Sequence, residues 1–205
     1  VLETRDEVSW LADGTGLLCP LLEKHDLPTA TCRSGDSAIE RLERAGVMTT
    51  RPLLAHVNYI DDEDLDRLRS SDATVVWCPR SHDFFGHEPH RWRDMMAAGI
   101  NVCVGTDSLA SNKTLSVLDE LRFVRQQAPD FSADALLEMG TIRAARGLGL
   151  DSQVGSLRPG KYADFVCIPW DPAGPESPAA NLLDGGQNAH AVWIGGERII
   201  GMQEE

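Results

Sequence analysis

Apolar positions change period along this chain, and the change separates predicted strands from predicted helices. Short apolar runs at 53–55, 73–78 and 100–104 are too brief for helices and read as strands, the last one buried on both faces. Each is followed by a segment with helical spacing. Residues 61–70 form an acidic-started helix, 91–98 carry Trp92, Met95 and Met96 on one stripe, and 115–127 offer Leu118, Leu121 and Phe123-Val124 to a sheet. Ahead of these, Thr4-Arg-Asp-Glu7 and Ser37-Ala-Ile-Glu40 have capping-box spacing and predict helices running to about residue 12 and to Gly46. Asp13-Gly14-Thr15-Gly16 stops the first, and a short helix over 17–24 follows. Ser132 and Thr141 start two further helices, reaching residues 139 and 148. Strand-then-helix alternation implies parallel strands joined by right-handed crossovers.

Helical order gives way after Gly149. Residues 154–168 combine turn glycines with an apolar strand, and 191–200 form a hairpin pattern with Gly195-Gly196 at its turn. The Pro-, Gly- and Ala-rich stretch 169–188 between them is expected to be an exposed loop. Three strand–helix units and a strand remnant at Val1-Leu2 are too few to close a parallel barrel of eight. Left alone they would expose bare sheet edges. The remaining strands are therefore expected from elsewhere, and Val1, which is not a start methionine, suggests the later part of a longer protein.

Composition narrows the partners. The 205 residues are 42% hydrophobic and 25% charged, enough for one sizeable core. No apolar run reaches membrane-spanning length and no signal-peptide pattern opens the chain. A formal charge of −13 repels nucleic acid and anionic membranes, which leaves a small molecule as the expected partner. Five scattered cysteines without Cys-x-x-Cys spacing point to a reducing, cytoplasmic compartment.

Chemistry gathers where the strands end. The first closes in His56, the second in Pro79-Arg80-Ser81-His82, the third in Gly105-Thr106-Asp107-Ser108. In parallel α/β architectures ligands and metals are held at that rim. Taken singly, each residue has a plainer reading: Asp107 caps the next helix, Glu3 sits in a helix's first turn, and His56 bonds to backbone. No phosphate loop and no Gly-x-Ser-x-Gly nucleophile motif is present.

These three strand ends, with Gly155-Ser-Leu-Arg-Pro-Gly-Lys-Tyr-Ala-Asp164 downstream, resemble the amidohydrolase superfamily over nearly the whole chain. Within it they are most similar to the nucleoside and S-adenosylhomocysteine deaminase and chlorohydrolase branch. The resemblance implies an α/β fold, a distorted (β/α)8 TIM-like barrel, with a small β-sandwich built from both chain ends. Residues 1–150 would be the C-terminal part of the barrel and 151–205 strands of the sandwich and the tail. It also implies one divalent metal, zinc first, with iron or manganese compatible. Asp107 corresponds to the family's last metal ligand and Glu3 to the glutamate three residues beyond the fifth-strand histidine. That histidine would stand one position before Val1, and the family's His-x-His pair is absent from this sequence, so the remaining ligands lie outside it. The chain alone is accordingly expected to be inactive and to require the missing N-terminal half.

The implied activity is hydrolytic deamination of an adenine-type nucleoside with release of ammonia, carried by Glu3, His56 and Asp107. The Cys-Pro-Arg-Ser-His and Phe-Phe-Gly-His runs resemble aminodeoxyfutalosine deaminases of the menaquinone pathway. In that reading Arg80, His82 or Arg91 grips the substrate carboxylate, while Phe84 and Phe85 stack on an aromatic ring. His87 and His90 are three apart, a spacing seen in metal sites, but Pro89 between them disfavours a regular helix. Two rivals remain: hydrolysis of another heteroaromatic C–N or C–Cl bond, and a metal-free barrel serving as a non-catalytic scaffold. A homodimer is compatible with the sequence.

Overall fold

The structure, a computed structural model, describes residues 3–25, 35–175 and 177–200. The expected strand remnant at Val1-Leu2 lies outside them. The chain divides into two compact units, Val1–Cys78 with His82–Val102, and Pro79–Ser81 with Cys103–Glu205.

The first unit opens with α1 (Arg5–Asp13), whose capping box is complete: the Thr4 hydroxyl accepts from Glu7 N–H, and the Glu7 carboxylate returns to the Thr4 backbone. Gly14 ends this helix at φ 74°, a left-handed conformation that glycine adopts without a steric penalty. Next come α2 (Leu18–Lys24), α3 (Ala38–Arg44), β1 (Leu53–Ala55), α4 (Asp62–Arg69) and β2 (Thr74–Trp77). The Ser37 and Asp61 side chains accept from Glu40 N–H and Asp64 N–H at the starts of α3 and α4.

The chain then turns into α5 (Pro79–Phe84), α6 (Trp92–Ala97) and β3 (Asn101–Val104), which carries it into the second unit. α5 is an element that the sequence pattern did not announce. Pro79 stands at its first position, where a missing N–H costs nothing.

The sheet order is β1-β2-β3, and β1 runs parallel to β2 in the register Leu53 to Thr74, Leu54 to Val75 and Ala55 to Val76. β2 is mostly buried along its length while β1 alternates, as a central and an outer strand should. Ile39, Leu54, Val57, Leu68, Val75 and Met95 form the buried apolar interior of this unit.

The second unit continues with α7 (Val117–Gln127), α8 (Ala133–Met139), α9 (Ile142–Gly147), β4 (Phe165–Cys167), α10 (Pro178–Asp184), β5 (Ala191–Ile194) and β6 (Glu197–Ile200). The predicted loop over 169–188 is corrected by α10, which packs on α7 and α8 and buries Ala179, Ala180, Asn181 and Leu183. The Ser177 hydroxyl caps this helix and Pro178 begins it. Small alanines let it approach closely. Arg122 from α7 donates to the Leu182 and Gln187 carbonyls, and Arg125 forms a two-pronged pair with Asp184.

β4, β5 and β6 make a separate antiparallel sheet in that order. Phe165 stacks on Trp193 across β4 and β5, with ring centroids 4.6 Å apart. Among the described residues β6 is the outer strand of this sheet, and its Ile199 and Ile200 are 56% and 58% exposed.

Candidate functional site

In the first unit, Glu3 is fixed by the helix start that follows it. Its N–H donates to the Glu7 carboxylate at 2.7 Å, and its carbonyl accepts from Asn58 Nδ2 at 3.0 Å. The side chain faces His56, with Oε1 3.7 Å from Nδ1. That gap is too wide for a hydrogen bond and narrow enough for both groups to reach one atom placed between them.

His56 follows β1 and keeps its N–H on the Val76 carbonyl at 2.9 Å. It then turns sharply: His56 and Val57 have φ of 65° and 55°. A β-branched residue there is an outlier, and each such position costs about 1–3 kcal/mol unless its surroundings enforce it. Several contacts enforce it here. Val57 is buried, its N–H reaches the Ala55 carbonyl at 3.0 Å, and His90 Nε2 lies 2.9 Å from the His56 carbonyl.

Four histidines populate this region. His82 is engaged at both ring nitrogens, 3.1 Å from Asn58 Oδ1 and 2.8 Å from the Glu88 carbonyl, and burial pushes its pKa down. His87 meets the Tyr59 hydroxyl through Nδ1 at 2.9 Å, while its Nε2 is buried without a hydrogen-bond partner. Burial also lowers the His87 pKa, opposed by the negative charge of Glu3. Arg5 lies 4.2 Å over the Tyr59 ring and pairs two-pronged with Glu88.

In the second unit, Asp107 stands beyond β3 with φ 56°, again in the left-handed region. Its Oδ2 is 2.8 Å from the hydroxyls of both Ser81 and Ser111, which are buried and 2.9 Å from each other. Two hydroxyl donors on one oxygen fix the orientation of the carboxylate.

The turn before Asp107 is held in its own right. Asn112 Nδ2 donates to the Thr106 carbonyl at 2.7 Å and to Glu120 Oε1 at 2.5 Å, and Glu120 Oε2 accepts from Arg80 N–H at 3.0 Å. Glu120 is wholly buried, and burial raises its pKa against the pull of these donors and of Arg80. Of the residues supporting Glu3 and Asp107, Asn58, Ser111 and Asn112 were not singled out by the sequence reading. Glu120 had left a signal, since it occupies the inward stripe of α7 beside Leu121 and Val124.

The expected substrate-gripping residues fall into separate settings. Arg80 donates to Thr114 Oγ1 at 3.0 Å and lies 3.8 Å from Asp119 and 3.9 Å from Glu120. Arg91 pairs with Asp62 at 2.8 Å and with Asp94 at 3.0 Å. Phe84 and Phe85 contact each other edge-on at 5.1 Å and are 63% and 49% exposed.

Comparison with known proteins places the chain. The amidohydrolase family's sequence profile matches residues 24–199. The chain belongs to the amidohydrolase family. A 5-methylthioadenosine/S-adenosylhomocysteine deaminase of Saccharophagus degradans is 33% identical over 183 residues, covering 83% of this chain and 41% of that protein. Among solved structures, an adenosine deaminase from Xanthomonas campestris with bound zinc matches 89% of this chain and 47% of its own length, at TM-score 0.77 and 23% identity. An atrazine chlorohydrolase from Arthrobacter aurescens complexed with zinc matches 82% of this chain and 40% of its own, at TM-score 0.72 and 26% identity. The chain thus spans less than half the length of these relatives, and it is a partial α/β fragment of a TIM-barrel-type fold. Among the described residues no helix is long and apolar enough to cross a membrane.

Ser81 offers a direct check on the Asp107 setting. Replacing it with Ala leaves Asp107 Oδ2 with one hydroxyl donor instead of two and should cost about 1–3 kcal/mol of stability, as loss of a buried hydrogen bond to a charged group does. Chemical denaturation of the full-length variant measures this, and an unchanged midpoint would mean that Ser81 does not hold Asp107.

Proposed function

We propose that the protein containing this chain is a zinc-dependent aminohydrolase that deaminates an adenine-type nucleoside. The observation that carries the reading is the Glu3–His56 pair at 3.7 Å, set at a strand end in a chain whose relatives include 5-methylthioadenosine/S-adenosylhomocysteine deaminases. Asp107 supports it as a carboxylate pre-oriented by two buried hydroxyls.

Carboxylate and imidazole donors suit a divalent first-row metal, and Asp107 is the ligand we assign to this chain. The Asp107 setting fits a ligand carboxylate, with the remaining ligands supplied from outside this sequence. When bound, such an ion would make water nucleophilic at neutral pH. The chain's own residues would do the rest. Asp107 orients the attacking water by accepting its hydrogen bond. Glu3 takes a proton from that water and delivers it to the ring nitrogen beside the amino-bearing carbon, then takes the second proton as the added hydroxyl becomes the carbonyl and passes it to the departing amine. His56 faces the attacked carbon and stabilises the oxygen that gains charge there. The sum is water plus aminopurine giving oxopurine plus ammonia.

Within that class we favour aminodeoxyfutalosine as substrate, with the exposed Phe84–Phe85 pair supplying an aromatic platform and Arg80, His82 or Arg91 drawing the carboxylate. We also assign residues 1–150 to the barrel and 151–205 to a small β-sandwich, to which the β4-β5-β6 sheet would contribute. A reducing cytoplasm and an assembly as a homodimer complete the proposal.

The test uses full-length protein with zinc, offered adenosine, methylthioadenosine, S-adenosylhomocysteine and aminodeoxyfutalosine in parallel. Ammonia release with conversion of adenine to hypoxanthine absorbance is the expected result. Chloride release from a chlorotriazine with all four nucleosides inert would favour the chlorohydrolase reading instead.

A further inference from the structure

We propose that His90 is a positioning residue for His56, clamping the His56 carbonyl through its Nε2–H so that the His56 ring keeps facing Glu3. The inference deepens the deaminase reading, because it takes Glu3 and His56 as the acting pair.

The argument starts from the distorted turn. Two successive left-handed residues, the second β-branched, will not hold their shape unaided. Of the groups that hold them, the Val76 carbonyl fixes His56 at its N–H, and burial fixes Val57 at its side chain. His90 fixes the peptide between the two by taking the His56 carbonyl at 2.9 Å. Rotation of that peptide would swing the His56 side chain away from Glu3.

His90 is suited to the task because its ring cannot wander. It stacks on Trp77 at 5.2 Å with planes 16° apart, Trp77 stacks on Trp92 at 5.3 Å, and His82 meets it edge-on at 5.6 Å. A carbonyl only accepts, so Nε2 carries the proton. Burial pushes the His90 pKa down to about 4, which leaves the ring neutral at physiological pH and Nδ1 bare. Nδ1 is indeed buried with no hydrogen-bond partner. The tautomer is therefore set, and the run Phe84-Phe-Gly-His-Glu-Pro-His90 acquires a role that metal-like histidine spacing would not have suggested.

Two variants of the full-length protein separate the donor from the ring. His90→Phe keeps an aromatic face for Trp77 and removes the N–H, whereas His90→Gln keeps an N–H donor and removes the stack. A third, Trp92→Phe, loosens the stack without touching the clamp.

In the deaminase assay, His90→Phe should lower kcat about 10- to 100-fold, the loss expected from small misplacement of a reacting group. KM should stay within about twofold. His90→Gln should recover most of the rate. In zinc-free protein, nitrogen-15 NMR should show the His56 ring resonances displaced and broadened in His90→Phe and nearly native in His90→Gln and Trp92→Phe.

Native His56 resonances in His90→Phe would overturn the proposal, as would His90→Gln disturbing them as much as His90→Phe does. Should no substrate be turned over at all, the NMR comparison still decides the role of His90 while the deaminase reading fails separately. If His90→Phe does not fold, the His90→Gln and Trp92→Phe spectra carry the decision.

Discussion

Replacing Glu3 with Gln is expected to lower kcat for the proposed deamination by about 10²- to 10⁴-fold, the usual worth of the positioned proton carrier we assign it to be. The substitution is nearly isosteric and leaves the backbone anchors of Glu3 intact, since these run through its N–H to Glu7 and its carbonyl to Asn58. KM and the melting temperature should therefore change little. The amide can still face His56 but cannot take a proton from water at neutral pH. Steady-state kinetics of the full-length variant measure the effect. A kcat within about threefold of wild type would strip Glu3 of the proton-transfer role, because that loss is far below what general acid–base catalysis supplies.

The second large effect concerns Asp107. Changing it to Asn keeps an oxygen for the Ser81 and Ser111 hydroxyls, so the local turn should survive. What is lost is the negative charge. Zinc affinity should fall by more than the about 10- to 100-fold that an outer-shell partner is worth, since a neutral amide oxygen is a far weaker donor to a cation than a carboxylate. Zinc content after dialysis, read by atomic emission, should drop well below that of the wild-type protein, together with activity. Full retention of zinc by the Asn variant would mean that Asp107 is not a ligand.

Much of this was legible before any coordinates. The strands before His56 and Asp107 appear where short apolar runs stop at polar residues, and the second is mostly buried, as a continuously apolar strand covered on both faces should be. The Thr4–Glu7 box was legible because capping chemistry is local.

What escaped is chemistry between residues far apart in sequence. The Ser81–Asp107 and Asn58–Glu3 bonds span 26 and 55 residues, and no spacing rule reaches so far. Helix α10 escaped for another reason. Its Ser177-Pro178 start signal was present, but the surrounding Pro, Gly and Ala read as loop until the small side chains found α7 and α8 to pack on. The surroundings of His82 escaped in the same way: its ring nitrogens meet Asn58 Oδ1 and the Glu88 carbonyl, partners that residue type and spacing did not announce.

The outer position of β6 has a practical corollary for handling the polypeptide. A marginal strand bearing two solvent-facing isoleucines offers a template for intermolecular β-pairing, and the neighbouring Glu197 and Arg198 act as gatekeepers that oppose stacking of identical copies. Neutralising those two charges would convert a tolerable surface into an aggregation nucleus, even though neither side chain lies anywhere near the proposed catalytic residues in sequence.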